Sequence, residues 1–250
     1  MIKKNIILTG GAGFIGSHFV KLLINKNFNV IIFDNKKIKN NRIISNKNVN
    51  YYQIDITNEN SIKTIFKKLK QKKIYAIINN AAIDAVPKKS RLNSHLPDIT
   101  QWKYELDVSL TGSYLITKYF GEKIKKQKKG KIIYMGSDLS VVAPNQKIYK
   151  TFKNFLKPAT YSVIKHGMLG ITKYFASLYS KHNIQVNMIS PGPIKNNHSN
   201  KFIKIVSGTI PMGRMGNLKD LDSTLIYLLD ENNKFITGQN IIVDGGRTLI

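Results

Sequence analysis

Short apolar runs alternate with longer stretches of helical periodicity from one end of the chain to the other. Seven runs read as strands: Asn5–Thr9, Val30–Asp34, Asn50–Asp55, Ala76–Asn79, Lys131–Gly136, Gln185–Ser190 and Asn240–Asp244. Several are apolar almost throughout, the pattern of a strand covered on both faces. Between them, apolar positions recur at three- and four-residue spacing near Gly13–Asn25, Asn58–Lys70, Ile99–Lys125, Tyr161–Ser180 and Leu218–Leu229, which predicts helices. This alternation predicts an α/β fold: a doubly wound, seven-stranded parallel sheet with helices on both faces. No repeat, low-complexity tract or linker interrupts it, so 1–250 is expected to form one domain. Two segments break the rhythm. Leu139–Ala159 holds Pro144 and Pro158 with little periodicity, and Pro191–Gly213 holds Pro191, Pro193 and Pro211 around a short apolar patch. Long irregular segments in compact domains are often binding loops or lids.

The first strand runs into Thr9-Gly10-Gly11-Ala12-Gly13-Phe14-Ile15-Gly16, a G-x-G-x-x-G run that opens the first helix. Strand, glycine turn and helix in that order suit a dinucleotide pyrophosphate. Glycines let the backbone approach the phosphates, and the N–H groups at the helix start attract their charge. Asp34 ends the second strand, 21 residues after Gly13, where a carboxylate would bond both ribose hydroxyls and repel a 2′-phosphate. That favours NAD, while Lys36 and Lys37 beside it leave NADP open. Asp55 stands either against an adenine or as a helix-capping acid before Asn58–Ser61. Asn79-Asn80-Ala81-Ala82 closes the fourth strand in small residues, either to let a cofactor pass or simply to turn the chain.

Tyr161 and Lys165 lie four residues apart, and on a helix such side chains share a face. A free tyrosine, with a pKa near ~10, is a poor base at neutral pH; a neighbouring cation stabilises the phenolate. Lowering that pKa by about two units corresponds to roughly 2.7 kcal/mol. Tyr149 and Lys153 repeat the spacing, but in the irregular segment, where Pro158 limits any helix. Tyr161 instead begins a long periodic stretch with Val163, Met168, Leu169, Ile171, Phe175 and Leu178 available for burial.

Composition narrows the chemistry further. The 250 residues are 42% hydrophobic, enough for one sizeable core, and include no cysteine, which excludes disulfides, thiolate metal sites and cysteine nucleophiles. No metal is expected. The apolar start at Ile6-Ile7-Leu8 is too short for a secretion signal and meets a glycine turn at once. No stretch reaches the ~18 apolar residues of a membrane span, so the cytoplasm is expected. The formal charge is +26, yet only four of the 40 basic residues are arginine. Specific nucleic-acid readers lean on arginine. A solvated lysine surface that binds polyanions incidentally at low salt is the simpler reading.

Taken together, Thr9–Gly16, Asp55, Asn79–Ala82, Gly136-Ser137 after a strand, Tyr161 with Lys165, Pro191-Gly192, and the closing Gly238-Gln239 and Val243-Asp244-Gly245-Gly246 resemble the short-chain dehydrogenases/reductases over nearly the whole chain. The resemblance implies a Rossmann fold, a nicotinamide cofactor and a small-molecule substrate bearing a carbonyl or alcohol. It implies that Tyr161 is the general acid/base, that Lys165 tunes it and holds the nicotinamide ribose, and that Ser137 bonds the reacting oxygen. Cofactor contacts would come from Gly10, Gly13, Phe14, Ile15, Gly16, Asp34, Asp55, Ile56, Asn80, Ala81, Ala82, Tyr161, Lys165, Pro191, Gly192 and Ile194. It also implies a homotetramer or homodimer built through the helices near Ile99–Lys125 and Tyr161–Ser180. The segments Lys157–Tyr174 and Ile210–Gly216 are similar, more narrowly, to oxidoreductases of flagellin modification and surface-sugar biosynthesis.

Three departures stand out. Phe14 fills the position of the family's middle glycine, giving the spacing of the longer, sugar-nucleotide-modifying branch. Ser109 stands where the family's catalytic asparagine completes a proton relay. Ser137 and Tyr161 are 24 residues apart, longer than the compact branch shows, so the extra residues form either a solvent-exposed insertion or a loop bringing Tyr149, Asn145 or Gln146 to a polar substrate. Alcohol/ketone oxidoreduction leads. A sugar-nucleotide epimerase or dehydratase, and a non-catalytic dinucleotide-sensing or polyanion-binding protein, are the alternatives.

Overall fold

The computed structural model describes residues 3–37, 41–83, 95–150 and 156–250. In chain order the elements are β1 (Asn5–Thr9), α1 (Phe14–Asn25), β2 (Asn29–Asp34), α2 (Asn41–Ile44), β3 (Val49–Gln53), α3 (Glu59–Lys68) and β4 (Ala76–Asn79). There follow a long helix α4 over 99–127, β5 (Gly130–Met135), α5 (Gln146–Lys150), α6 (Ala159–Tyr179), β6 (Ile184–Pro191), α7 (Asn200–Ser207), α8 (Asp222–Leu229) and β7 (Asn240–Val243).

All strand pairs are parallel, in the order β3-β2-β1-β4-β5-β6-β7. Successive side chains on a strand point to opposite faces, and the apolar strands here supply two cores. Ile7, Ile31, Ile77, Ile132 and Val186 meet α3, α4 and α6, with Phe120, Phe175 and Tyr179 among the packed residues. Ile6, Leu8, Ile32, Ile78 and Ile133 meet Phe19, Val20 and Leu23 of α1 and Leu225 and Leu228 of α8. The doubly wound, seven-stranded sheet read from the sequence is the observed one.

The differences are local. The third strand ends at Gln53, so Asp55 lies two residues past it. The fourth helical stretch contains π-helical turns at Asp107–Thr111 and Thr117–Gly121. The second π turn brings Thr117 Oγ1 to 2.6 Å from the buried Tyr134 hydroxyl and 3.1 Å from Asn79 Nδ2. Leu218–Leu221 is a 3₁₀ turn ahead of α8. Both irregular segments contain a helix, α5 in the first and α7 in the second. Among the described residues the solvated-lysine reading fails at three positions: Lys131, Lys157 and Lys165 are buried. No helix among the described residues is long and apolar enough to cross a membrane.

Phe120 is fully buried, with the rings of Phe33 and Phe66 both 5.5 Å from its own. Truncating such a residue loses transfer energy and leaves a cavity. Phe120→Ala is expected to cost about 3–5 kcal/mol in denaturant unfolding; a loss below about 1 kcal/mol would contradict this packing.

Candidate active site

Parallel strands all end on one side, and the crevice lies where neighbouring strands send their chains in opposite directions. Here that point falls between β1 and β4. Thr9, ending β1, accepts the backbone N–H groups of Asn80 and Ala81 on its hydroxyl, each at 3.0 Å. Asn80 returns side-chain N–H bonds to the carbonyls of Thr9 and Gly10, both at 3.1 Å. Gly10 sits at φ +69°, where a Cβ would lie 2.8 Å from Ala81 Cα. A Cβ on Gly16 would overlap the Gly10 carbonyl oxygen. The turn is therefore closed to side chains from both directions. Ala82, just beyond, is exposed.

Gly13 caps α1 in an extended conformation, with no side-chain cap and no acid in the first turn. The backbone N–H groups of Phe14, Ile15 and Gly16 belong to that first turn, where the helix itself offers them no acceptor. An uncapped helix start beside a side-chain-free turn fits a pyrophosphate. Asp34 is buried beside it and accepts the N–H groups of Ala12 at 2.8 Å and Lys36 at 2.9 Å. Lys36 and Lys37 are exposed.

Asp55 does not cap the helix. One of its carboxylate oxygens accepts both the N–H and the hydroxyl of Thr57, at 2.9 and 2.8 Å, while Asn58 caps α3 by accepting from Ser61 N–H at 3.0 Å. Ile56 is buried against Gly112 of α4. On the other side of the crevice, Gly192 donates its N–H to the Val243 carbonyl at 2.9 Å, which fixes the chain leaving Pro191 against the end of β7. Ile194 then bridges to Gly216.

Pro158 starts α6, and Tyr161 and Lys165 share one of its faces. Lys165 is buried; its ammonium donates to the Met135 carbonyl at 3.2 Å and lies 5.5 Å from the centre of the Tyr161 ring. That bond draws the Lys165 ammonium to the end of β5, two residues before Ser137. Ser137 donates its hydroxyl to Asp138 Oδ1 at 2.8 Å and accepts from Leu139 N–H at 3.2 Å. The other oxygen of Asp138 pairs with Arg247, nearly shut off from solvent. The Asp138–Ser140 turn packs directly against α6. Ser109 lies in the first π turn of α4, also packed on α6, fully buried and with its hydroxyl making no hydrogen bond among the described residues. Extra π-type residues in helices occur often at functional sites.

Of the rival pair, only Tyr149 lies within the described residues. Tyr149 packs against Ile148, Val206, Ile210 and Met215, a small nucleus joining α5 to α7, and Lys153 lies outside the described residues. The solvent-exposed insertion is therefore corrected at Ile148 and Tyr149, which apolar contacts hold down, while Asn145 and Lys147 beside them are exposed. The suggestion that Gln146 reaches substrate is corrected too. Its amide bonds Lys157 N–H at 2.9 Å and Lys157 carbonyl at 3.0 Å, and Asn145 accepts from Lys147 N–H at 3.1 Å.

Three features escaped the sequence reading. The Asp138–Arg247 pair joins positions too distant in sequence to be foreseen. Glu105 is buried and accepts from Thr160, the residue before Tyr161, and from Gln101 at 2.7 Å. Lys157 places its ammonium 3.8 Å from the centre of the Tyr161 ring; its position four residues before Tyr161, mirroring Lys165, was the available signal.

A family model described as Enoyl-(Acyl carrier protein) reductase matches residues 11–248. The chain belongs to the short-chain dehydrogenase/reductase family. The 3-oxoacyl-[acyl-carrier-protein] reductase FabG of Buchnera aphidicola is 32% identical, over 98% of this chain and 97% of that protein. A short-chain dehydrogenase from Leptospira borgpetersenii, solved with bound NAD+, superposes with a TM-score of 0.87 at 32% identity, covering 98% of this chain and 93% of the other. ElxO with NADP bound superposes with a TM-score of 0.83 at 25% identity over the full length of both chains. Among the described residues of this family member no group of three His, Cys, Asp or Glu side chains is placed to hold a metal ion.

Because a Cβ on Gly16 would push into the Gly10 carbonyl, Gly16→Ala is expected to weaken NAD+ binding by at least about tenfold while leaving circular dichroism intact. Calorimetric titration reads this directly, and unchanged affinity would remove the turn from the site.

Proposed function

We propose that this chain is an NAD(P)-dependent oxidoreductase that interconverts a secondary alcohol and its carbonyl compound through Tyr161, with 1–250 working as one unit. The observation that carries the reading is Lys165, a buried ammonium held by the Met135 carbonyl within reach of the Tyr161 ring. Burying a cation beside a neutral phenol gives little return; beside a phenolate the charges compensate. Tyr161 takes the alcohol proton during oxidation and donates one to the carbonyl oxygen during reduction. Ser137 steadies the same oxygen once its hydroxyl proton turns to it from Asp138 Oδ1. Ser109, with a buried hydroxyl beside α6, stands in for the relay asparagine. When bound, the nicotinamide supplies or accepts the hydride.

The dinucleotide would rest on Gly10, Gly13, Phe14, Ile15 and Gly16. Asn80, Ala81 and Ala82 would line one wall and Pro191, Gly192 and Ile194 the other, with Asp55 and Ile56 toward the adenine. Asp34, a buried carboxylate beside the turn, favours NAD over NADP by charge. The substrate we infer is hydroxylated and sugar-related, used in building surface polysaccharide or glycan; the likeness of Lys157–Tyr174 and Ile210–Gly216 to such oxidoreductases supports this. The enzyme would work in the cytoplasm, where the nicotinamide pool is, as a homodimer or homotetramer. The outward sides of α4 and α6 support that assembly, since they leave Tyr114, Val163, Tyr174 and Leu178 exposed.

Steady-state turnover of a polyol and sugar panel tests the chemistry. Tyr161→Phe is expected to lower kcat by about 10²–10⁴-fold with NAD affinity retained; full activity would dismiss Tyr161 as the base. Asp34→Ala should cut the NAD/NADP ratio of kcat/KM by about tenfold or more. Light scattering of the purified protein should give two or four times the chain mass of 28.4 kDa, and Tyr174→Glu should lower that mass; a monomer in the unmodified protein contradicts the assembly.

A further inference from the structure

The turn after β7 reaches the end of β5. Asp244 shapes that turn by accepting Gly246 N–H at 2.9 Å and Thr248 N–H at 2.7 Å. The segment that follows β6 anchors it: Met212 donates its N–H to the Gly245 carbonyl at 3.1 Å, and Gly192 donates its own to the Val243 carbonyl at 2.9 Å. What the turn delivers is Arg247, whose guanidinium bonds one carboxylate oxygen of Asp138. Both side chains are nearly shut off from solvent.

The other oxygen of Asp138 holds Ser137. It accepts the Ser137 hydroxyl at 2.8 Å and Leu139 N–H at 2.9 Å, while the Ser137 oxygen itself accepts Leu139 N–H at 3.2 Å. A serine hydroxyl carries one proton and turns freely unless partners fix it. Here a carboxylate fixes it, and a guanidinium fixes the carboxylate. Stability is a poor account of this arrangement, because apolar side chains can often replace a buried ion pair without loss. Nor does the turn need Arg247 for its shape, which Asp244 already supplies. Placement of a reacting group matters more: a displacement of about 1 Å can cost about 100-fold in rate.

We propose that Asp138 and Arg247 are positioning residues for the oxidoreduction, acting on the reacting oxygen only through Ser137. This rests on Tyr161 and Ser137 serving that oxygen. Asp138 holds the hydroxyl in place until the oxygen arrives to take its proton. Arg247 holds Asp138 and draws off part of its charge, so that the proton can be given up. An asparagine in place of Asp138 cannot meet both partners. With its oxygen toward Ser137 it would turn an N–H toward the guanidinium, and two donors would face each other.

The probe is the member of the polyol and sugar panel that turns over fastest with NAD+, at saturating cofactor. Asp138→Asn and Arg247→Met are each expected to lower kcat by about tenfold or more, with KM and calorimetric NAD+ affinity changed less than about threefold. Arg247→Lys, which keeps one donor for the carboxylate, should recover most of kcat. In a Ser137→Ala background, Asp138→Asn should cost no further kcat, because the residue it acts through is gone. Equal losses with and without Ser137, or Asp138→Asn keeping kcat within about twofold, would overturn the proposal. A crystal structure of Arg247→Met reads the placement without turnover: the Ser137 hydroxyl should leave its position beside Asp138, and an unmoved hydroxyl would count against Arg247. Melting temperatures confirm folding; should Arg247→Met fail to fold, the Ser137→Ala comparison decides alone. Full turnover by Tyr161→Phe, or no turnover of any panel member by the unmodified protein, would instead strike at the oxidoreductase reading.

Discussion

Hydrogen bonds between the turn after β1 and the turn after β4 organise the crevice. Thr9 accepts two backbone N–H groups from the β4 turn, and Asn80 gives its own N–H bonds back to Thr9 and Gly10. A parallel sheet whose order reverses at β1 must part its connections there, and the parting opens a cleft at the strand ends. Without a tie across the cleft, the two halves of the sheet edge would diverge and the glycine turn would lose its backing. The close approach at Gly10 and Gly16 follows from that tie, as does the position at which α1 begins. Asp34 extends the same network by holding Ala12 N–H.

Charge is the second organising theme, and burial decides what each lysine does. Lys131 lies at the start of β5, bonded to the Asn233 carbonyl, and burial pushes its pKa down to about 8. On the surface the few acids gather cations. Glu59 is held down at about 2 by hydrogen bonds from Lys118 and Tyr119, and Glu231 at about 2 by Lys129 and Lys4. Such exposed pairs add little to stability. Lys157 and Lys165 are buried against one tyrosine ring, that of Tyr161. Burial thus sets three lysines of the same chemistry in surroundings that the exposed ones do not share.

Much of this was legible without coordinates. The central strands were readable because they are buried on both faces and so are apolar at nearly every position, whereas β3 and β7 are only half-buried. The dinucleotide turn was readable because close backbone approach demands glycine, and Tyr161 with Lys165 because a helix converts a four-residue spacing into contact. Asp55 was misplaced by a short shift in a strand end, and the 139–159 stretch looked structureless because α5 is too short to show a period. What holds α5 is an apolar nucleus shared with α7, more than 50 residues away.

The amino-acid sequence by itself determined the fold class, the turn and the tyrosine–lysine pair, since each depends on residues near one another in the chain. Only the tertiary structure decided the company those residues keep. Arg247 comes to Asp138 from 109 positions away, and Glu105 reaches the helix of Tyr161 from another element. Lys157, though only four positions from Tyr161, precedes the helix, so its placement rests on Gln146 and α7 instead of on helical spacing. Local periodicity encodes elements; the partners of a buried charge are set by which elements the sheet brings together.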